Sequence, residues 1–413
     1  MKFYVDYFGC RSNQAEAQEW IHELENRGYR YTASVADADF ALLNTCSVTE
    51  NAERDVIRYL NRMYRTSSCP WLVVGCTVTK EKKDLSLRYR PYRFFTNLEK
   101  SNLIDSITRD YPISSNVIYH TSFKSRFFLK IQDGCNFHCA FCIVPSLRGK
   151  SISASRSDIL KKASYYVSLG YKEIVLTGIN LSSYGYDRFP RETLLDLLKE
   201  LQQIPELEIL RLSSLDPRFI KYSFLKELAA LPKIAESFHL AIQSGSDAVL
   251  KAMKRGGKAV EILKNLHHLR VFFPDANIGA DFIVGFPGES ERDFEQSQEL
   301  VVAGDLNYLH IFPFSPRQGT VAATLPSLSR EIVQRRAKEM KALNLDIKRA
   351  YRERMVGKTI EGILIEEGAA HSLAVTRNFL SVRLPSSHGL KKRKIKIAIT
   401  GMINEHLCTG KIE

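Results

Sequence analysis

Short apolar runs alternate with longer amphipathic stretches from the N-terminus to Tyr351, and that rhythm restricts the chain to parallel sheets joined by helical crossovers. Strands are predicted at 3–8, 40–45 and 71–75, separated by helices at 14–27 and 50–65. Cys10, Cys46 and Cys76 each come just after one of these strands, so three distant residues are brought to one sheet edge. A second series places strands at 127–131, 173–177, 208–213, 237–242, 277–284 and 308–312. Six βα units predict a partial (βα)6 barrel, with its functional edge at the C-terminal ends of the strands. Local signals agree: Ser157-Asp158 precedes the periodic run 159–169, which stops at Gly170. Pro326, Ser327 and Ser329 mark the start of a long basic helix ending near Arg354. From Gly357 the pattern changes to short alternating runs at 359–365, 372–375, 379–384 and 395–400, the signature of a small β-barrel or sandwich. The chain therefore reads as α/β in three parts: a parallel α/β domain at 1–120, a partial barrel with its long helix at 121–354, and a β-domain at 355–413.

Composition narrows the class. With 413 residues, 44% of them hydrophobic and 25% charged, the chain has material for real cores, which excludes global disorder, collagen and coiled coil. No window reaches the ~18 uninterrupted apolar residues of a membrane helix. The N-terminal stretch carries Asp6 and no cleavable apolar core, so a cytoplasmic protein without membrane partners is expected. The net charge of +13 favours polyanions, and much of the excess lies late in the chain. Lys391, Lys392, Arg393, Lys394 and Lys396 put five cations in six positions, a cluster suited to a phosphate backbone. Strand alternation assigns Arg377, Phe379 and Arg383 to one face, where they add base stacking or phosphate contact. A solvated hairpin tip is the competing reading of this segment.

Cysteine spacing carries the chemistry. Eight cysteines in a reducing compartment do not form a disulfide framework, and Cys69 and Cys408 read as structural or surface thiols. Cys135, Cys139 and Cys142 form CxxxCxxC just after the first strand of the barrel series. Three thiolates from one loop can hold three irons of a cubane and leave the fourth open, whereas a structural zinc would need His138 or Cys76 as a further ligand. Gly178, Ser213, Ser214, Gln243 and Ser244 follow successive strands and are candidates for a cofactor site, although ordinary βα turns use the same residue types. Gly285 to Glu289 also falls at this edge, but its Pro287-Gly288-Glu289-Ser290 wording suits a helix start equally well.

The CxxxCxxC motif, with Phe141 before its last cysteine, resembles that of the radical S-adenosylmethionine (SAM) enzymes. Cys142-Ile143-Val144-Pro145 with Arg148-Gly149-Lys150, Phe8-Gly9-Cys10 with Asn13, Asn44-Thr45-Cys46-Ser47-Val48 and Val74-Gly75-Cys76 are similar to the cluster segments of the methylthiotransferases. Leu176 to Asn180, Ser183-Tyr184-Gly185, Arg211 to Ser214 and His310 to Pro316 resemble the branch acting on threonylcarbamoyladenosine next to the tRNA anticodon. Ala374 to Leu380 resembles that branch's TRAM domain, a small RNA-binding β-barrel. Ser146-Leu147, Ser153-Ala154-Ser155 and Thr77-Val78-Thr79 depart from the family wording, around the cysteines and not at them.

The resemblance implies two 4Fe-4S clusters. One, on Cys135, Cys139 and Cys142, binds SAM near Phe141 and releases a 5′-deoxyadenosyl radical that takes hydrogen from C2 of the adenine. The other, on Cys10, Cys46 and Cys76, presents sulfur that a second SAM methylates. Amino-acid side chains alone supply no oxidant for an unactivated aromatic C–H bond, which agrees with this implication. The implied partners are tRNA and a reductant protein. Rival readings are methylthiolation of isopentenyladenosine or of a ribosomal-protein aspartate, and a non-catalytic cluster- or zinc-containing RNA-binding protein.

Overall fold

Five parallel strands open the chain in a computed structural model that describes residues 1–113, 117–119 and 125–413. They are β1 (Lys2–Tyr7), β2 (Arg30–Tyr31), β3 (Phe40–Thr45), β4 (Trp71–Gly75) and β5 (Arg93–Phe95), in the order β2-β1-β3-β4-β5. The edge strands β2 and β5 are too short to show a period in the sequence. Every residue of β3 and β4 is buried, which is why both read as continuous apolar runs. Helices α1 (Arg11–Asn26), α2 (Glu50–Thr66) and α3 (Cys76–Arg88) cover the sheet. Phe3, Trp20, Leu42 and Val74 pack on one face, and Leu43, Leu60, Trp71 and Val73 on the other. The expected domain boundary at 120/121 lies outside the described residues.

The barrel begins with β6 (Arg126–Lys130), followed by the short antiparallel pair β7 (Gln132–Asp133) and β8 (Ile152–Ser153). Its other walls are β9 (Glu173–Thr177), β10 (Ile209–Leu212), β11 (Ser237–Gln243), β12 (Asn277–Val284) and β13 (Tyr308–Pro313). The sheets β10-β9-β6 and β11-β12-β13 are parallel, and bridges from Leu210 to Ile234 and Leu215 to Leu240 join them. The six strands thus form an open arc with β6 and β13 at its ends. Helix α1 lies along β6: Gln18 Oε1 accepts from Phe128 N at 2.9 Å, and Ala15 packs with Phe128 and Val175.

The helix Arg330–Met355 packs on β13, where Asn344 bonds both the Leu309 N–H and its carbonyl, at 2.7 and 3.2 Å. Its last turns supply Tyr351 and Met355 to the core of the C-terminal barrel. That closed barrel contains β14 (Thr359–Glu366), β15 (His371–Thr376), β16 (Ser381–Pro385), β17 (Lys394–Asn404) and β18 (Leu407–Ile412), in the order β14-β15-β16-β18-β17. The sequence reading missed β18; Cys408 on it is fully buried in the barrel core. No helix among the described residues is long and apolar enough to cross a membrane.

Candidate cluster and cofactor site

Register brings the first cysteine trio together. Tyr7 pairs with Asn44 and Thr45 with Gly75, so β1, β3 and β4 end side by side. Cys10 then caps α1, Cys46 follows β3 and Cys76 opens α3. Two glycines permit the close approach. A Cβ on Gly9, at φ +89°, would lie 2.3 Å from Cys46 Sγ, and one on Gly75, at φ +113°, would lie 2.6 Å from the Thr45 carbonyl oxygen. Asn13 Nδ2 donates to the Phe8 and Thr45 carbonyls at 2.7 and 2.9 Å, and Thr77 Oγ1 donates to the Cys46 carbonyl at 2.9 Å. Burial, followed by the neighbouring Cys10 and Cys76, pushes the Cys46 thiol up to about 12. Three convergent thiols, one of them this reluctant to ionise in an apolar setting, suit a cationic metal centre that takes them as thiolates.

The second trio sits on the loop after β7. Cys135 N donates to the Gly149 carbonyl at 3.1 Å and Ala140 N to the Met253 carbonyl at 2.8 Å, which pins the loop at both ends. Arg255 reaches Cys139 Sγ at 3.7 Å and Asp216 at 3.1 Å, so a fixed cation stands beside this thiol. Burial pushes the Cys142 thiol up to about 11. His138 is exposed, unlike the half-buried thiols on either side of it. Arg148 links the two centres: its guanidinium bonds Asn13 of the first at 2.6 Å, Asp133 before the second at 2.9 Å, and Glu16 at 3.1 Å. Burial opposes that charge, but Glu16 and Asp133 outweigh it and hold the Arg148 pKa above its ordinary value.

Two cysteines of the first trio and all three of the second line one cavity of about 870 Å³ inside the strand arc, namely Cys10, Cys46, Cys135, Cys139 and Cys142, whereas Cys76 is buried against Ile143 and Leu147. Phe141, Gly178, Ser213, Ser214 and Gln243 line it as well. Thr177 Oγ1, Asn180 Nδ2, Ser213 Oγ and Ser214 Oγ are buried without a hydrogen-bond partner. Orphaned polar atoms of this kind call for a ligand or ordered water, and a nucleoside amino acid such as SAM carries matching groups. Ser244 departs from expectation. It is turned away from the cavity, 3.3 Å from Ser297 Oγ and accepting from Ser246 N, so it fixes the loop after β11 and does not line the cofactor space. Glu289 likewise serves the helix start, accepting from Gly285 N at 3.0 Å and from Arg336 at 2.6 Å.

Residues 129–301 match the radical SAM superfamily, and residues 2–95 match a family described as uncharacterized protein family UPF0004. A threonylcarbamoyladenosine tRNA methylthiotransferase, MtaB, of Rickettsia prowazekii (strain Madrid E) is 33% identical, covering 91% of this chain and 90% of its own. This chain belongs to the radical SAM tRNA methylthiotransferases. Another MtaB, of Aquifex aeolicus (strain VF5), is 31% identical over 93% of this chain and 96% of its own. A tRNA-2-methylthio-N(6)-dimethylallyladenosine synthase of Protochlamydia amoebophila (strain UWE25) is 31% identical over 93% and 87%. Among solved structures, the radical SAM methyltransferase TsrM from Kitasatospora setae shares the fold, with TM-score 0.58 at 10% identity over 78% of this chain and 76% of that one. Membership in the superfamily implies one 4Fe-4S cluster and SAM as cofactors.

In this methylthiotransferase the far end of the cavity is charged, which sequence reasoning missed. Arg11, Arg126, Arg211, His239, Asp281, Tyr308 and His310 line it with Phe128 and Phe379. The available signal was polar residues at alternate positions of otherwise apolar strands: Arg211 on β10 with Ser213 just past its end, and His239 and Gln243 on β11. Asp281 accepts from His239 at 2.8 Å and lies 3.3 Å from His310, and these contacts hold its carboxyl well below the usual range despite burial.

The expected shared face for Arg377, Phe379 and Arg383 does not form. Residues 377–379 make the turn between β15 and β16, where strand alternation does not apply, and Phe379 adopts φ +65°. Arg377 donates to the Pro232 and Ile234 carbonyls, both at 2.6 Å, while the Phe379 ring packs under Arg126 and Arg211. Arg383 is exposed on β16. The basic cluster also divides: Lys394 pairs with Glu208 at 3.0 Å and Lys392 lies over the Tyr171 ring, whereas Lys391, Arg393 and Lys396 point outward.

Proposed function

We propose that this protein methylthiolates C2 of N6-threonylcarbamoyladenosine next to the anticodon of tRNA, using two 4Fe-4S clusters and SAM as both radical source and methyl donor. The observation that carries the reading is that five of the six candidate cluster cysteines, drawn from two separate trios, line one cavity. Cys135, Cys139 and Cys142 would hold the SAM-binding cluster, and Cys10, Cys46 and Cys76 the second. When bound, these groups supply reductive cleavage of SAM and the sulfur that replaces the C2 hydrogen. The chain's own part is positioning. Arg148 ties the two cysteine loops to one another, and Thr177, Asn180, Ser213 and Ser214 offer unpaired polar atoms to a nucleoside between them. Arg255 places a positive charge beside Cys139. Electrons would come from a reductant protein, and the exposed Lys391, Arg393, Lys396 and Arg383 would meet tRNA phosphates in the cytoplasm.

The threonylcarbamoyl branch is favoured over the dimethylallyl branch by the wording of the motifs and by the charged far wall of the cavity. The test is mass spectrometry of tRNA nucleosides after incubation with anaerobically reconstituted protein. Cys139→Ala is expected to abolish SAM cleavage, and Cys46→Ala to leave cleavage detectable while stopping sulfur insertion. Equal loss of cleavage in both variants would overturn this division of labour.

A further inference from the structure

Charge does not balance on the cavity wall near the start of β6, at the strand end opposite the Cys135 loop. Three guanidinium groups, Arg11, Arg126 and Arg211, line it with the Asp281 carboxylate, and the buried Glu173 carboxylate stands beside Arg211. Glu173 is taken by Arg211, whose Nε lies 2.6 Å away, and Asp281 by His239 and His310. Arg211 directs its remaining donors to the carbonyls of Arg377 and Thr376, at 3.0 and 3.4 Å. Arg11 and Arg126 have no carboxylate within ion-pair distance among the described residues. They meet ring faces: Arg11 stands 5.6 Å from the centre of Phe128, and Arg126 stands 5.8 Å from Phe128 and 5.1 Å from Phe379. Both guanidiniums lie on the cavity wall, Arg126 half-buried and Arg11 exposed, and desolvation lowers the Arg126 pKa. An enclosed cation without a counter-ion is costly, and one bound anion would neutralise the set.

We infer that Arg11 and Arg126 form a carboxylate subsite that receives the threonyl carboxylate of the substrate's N6 substituent. The inference rests on the proposed threonylcarbamoyladenosine reading and names the residues that set its specificity. Ring chemistry supports the direction. C2 and C6 flank N1 on one six-membered ring, so a base presenting C2 to the cysteine end sends its N6 substituent away from it. A dimethylallyl group has no charge to offer this wall and would leave both guanidiniums unpaired, whereas a carboxylate meets two planar forks suited to it. Arg11 comes directly after Cys10 and opens α1, the helix that lies along β6, so adjacent residues supply a candidate cluster ligand and a substrate cation.

The test uses the reconstituted full-length protein with SAM and no reductant, so that binding is read without turnover. Two synthetic anticodon stem-loops are compared, one with the threonylcarbamoyl carboxylate free and one with it as the methyl ester. The free acid is expected to bind roughly tenfold or more tightly, the scale of one charge-assisted pair. Arg126→Gln and Arg11→Gln should each bring that ratio toward one, and Arg126→Lys should restore part of it. Equal binding of acid and ester by the wild-type protein would overturn the inference, and that comparison needs no variant to fold. Variants that weaken acid and ester alike, with a flatter salt dependence, would show that the guanidiniums hold RNA phosphates, which also overturns it. With reductant added, methylthiolation of acid and ester at equal rates would sink the subsite and leave the proposed function standing. Methylthiolation of an isopentenyladenosine stem-loop alone would sink both.

Discussion

At the scale of single residues, the molecule depends on small groups holding cysteine loops in register. Gly9 is one such case, since any Cβ there collides with Cys46 Sγ. Gly9→Ala is expected to lower iron uptake on reconstitution by about half, because the first trio cannot close around its metal while the Cys135 loop is untouched. Iron per chain and the visible absorption of the reconstituted protein check this. Glu53 is the second case. Its carboxylate pairs with Arg317, which also donates to the Ser47 carbonyl at 2.9 Å, so the loop after Cys46 is moored to the segment after β13. Burial would raise the Glu53 pKa, but hydrogen bonds from Lys80 and Arg317 outweigh it and bring it from 4.5 down to about 2. A carboxylate with a depressed folded pKa adds stability that is fully present above about 4.5 and fades as the pH falls toward about 2. Wild type and Glu53→Gln should therefore differ in urea midpoint at pH 7 and converge as the pH falls from 4.5 toward 2.

At the scale of elements, one guanidinium joins three of them. Arg211 on β10 reaches Glu173 on β9 and the turn that follows β15, and the side chains of this pair are only 4% and 3% exposed. Removing one partner of so buried a pair leaves the other charge uncompensated. Arg211→Met should cost about 3 kcal/mol in denaturant unfolding. It should also make the C-terminal barrel more sensitive to protease, because the turn at 376–377 loses its anchor. The same turn explains why the expected RNA face fails: its left-handed Phe379 swings the ring inward to floor the cavity. A segment that alternates correctly on both sides can still reverse between them, and two residues suffice.

At the scale of the whole molecule, three sheets of different origin share one cavity. The N-terminal sheet supplies Cys10, Cys46 and Arg11, the arc supplies the second trio and the polar walls, and the C-terminal barrel supplies Phe379 at the base. The exposed cations of that barrel lie elsewhere, on β16, β17 and the segment between them. Substituting Arg383, Lys391, Arg393 and Lys396 with Ala should weaken tRNA binding and reduce the salt slope by roughly one for each phosphate no longer neutralised. Lys394→Ala should act differently, through the ion pair with Glu208 at 3.0 Å, and change stability more than salt dependence. Filter binding across a salt series separates the two outcomes.

Much of this architecture is legible in the order of the residues. The strand starts and ends of β3, β4, β9 and β12, the six-unit arc and the six cysteines after strand ends all follow from local periodicity and turn chemistry, which are properties of neighbouring residues. The cavity-facing position of Ser213, Ser214 and Gln243 follows from the same rule, that parallel strands deliver their last residues to one edge. Tertiary structure alone decided the rest. Ser244 and Phe379 point where loop geometry turns them, and β18, which no local pattern announced, closes the barrel. The unpaired state of Arg11 and Arg126 is a fact about which carboxylates lie within a few ångströms, contributed by segments far apart in the chain. Periodicity reports a residue's own face; whether a charge has a partner is decided only when separate elements pack.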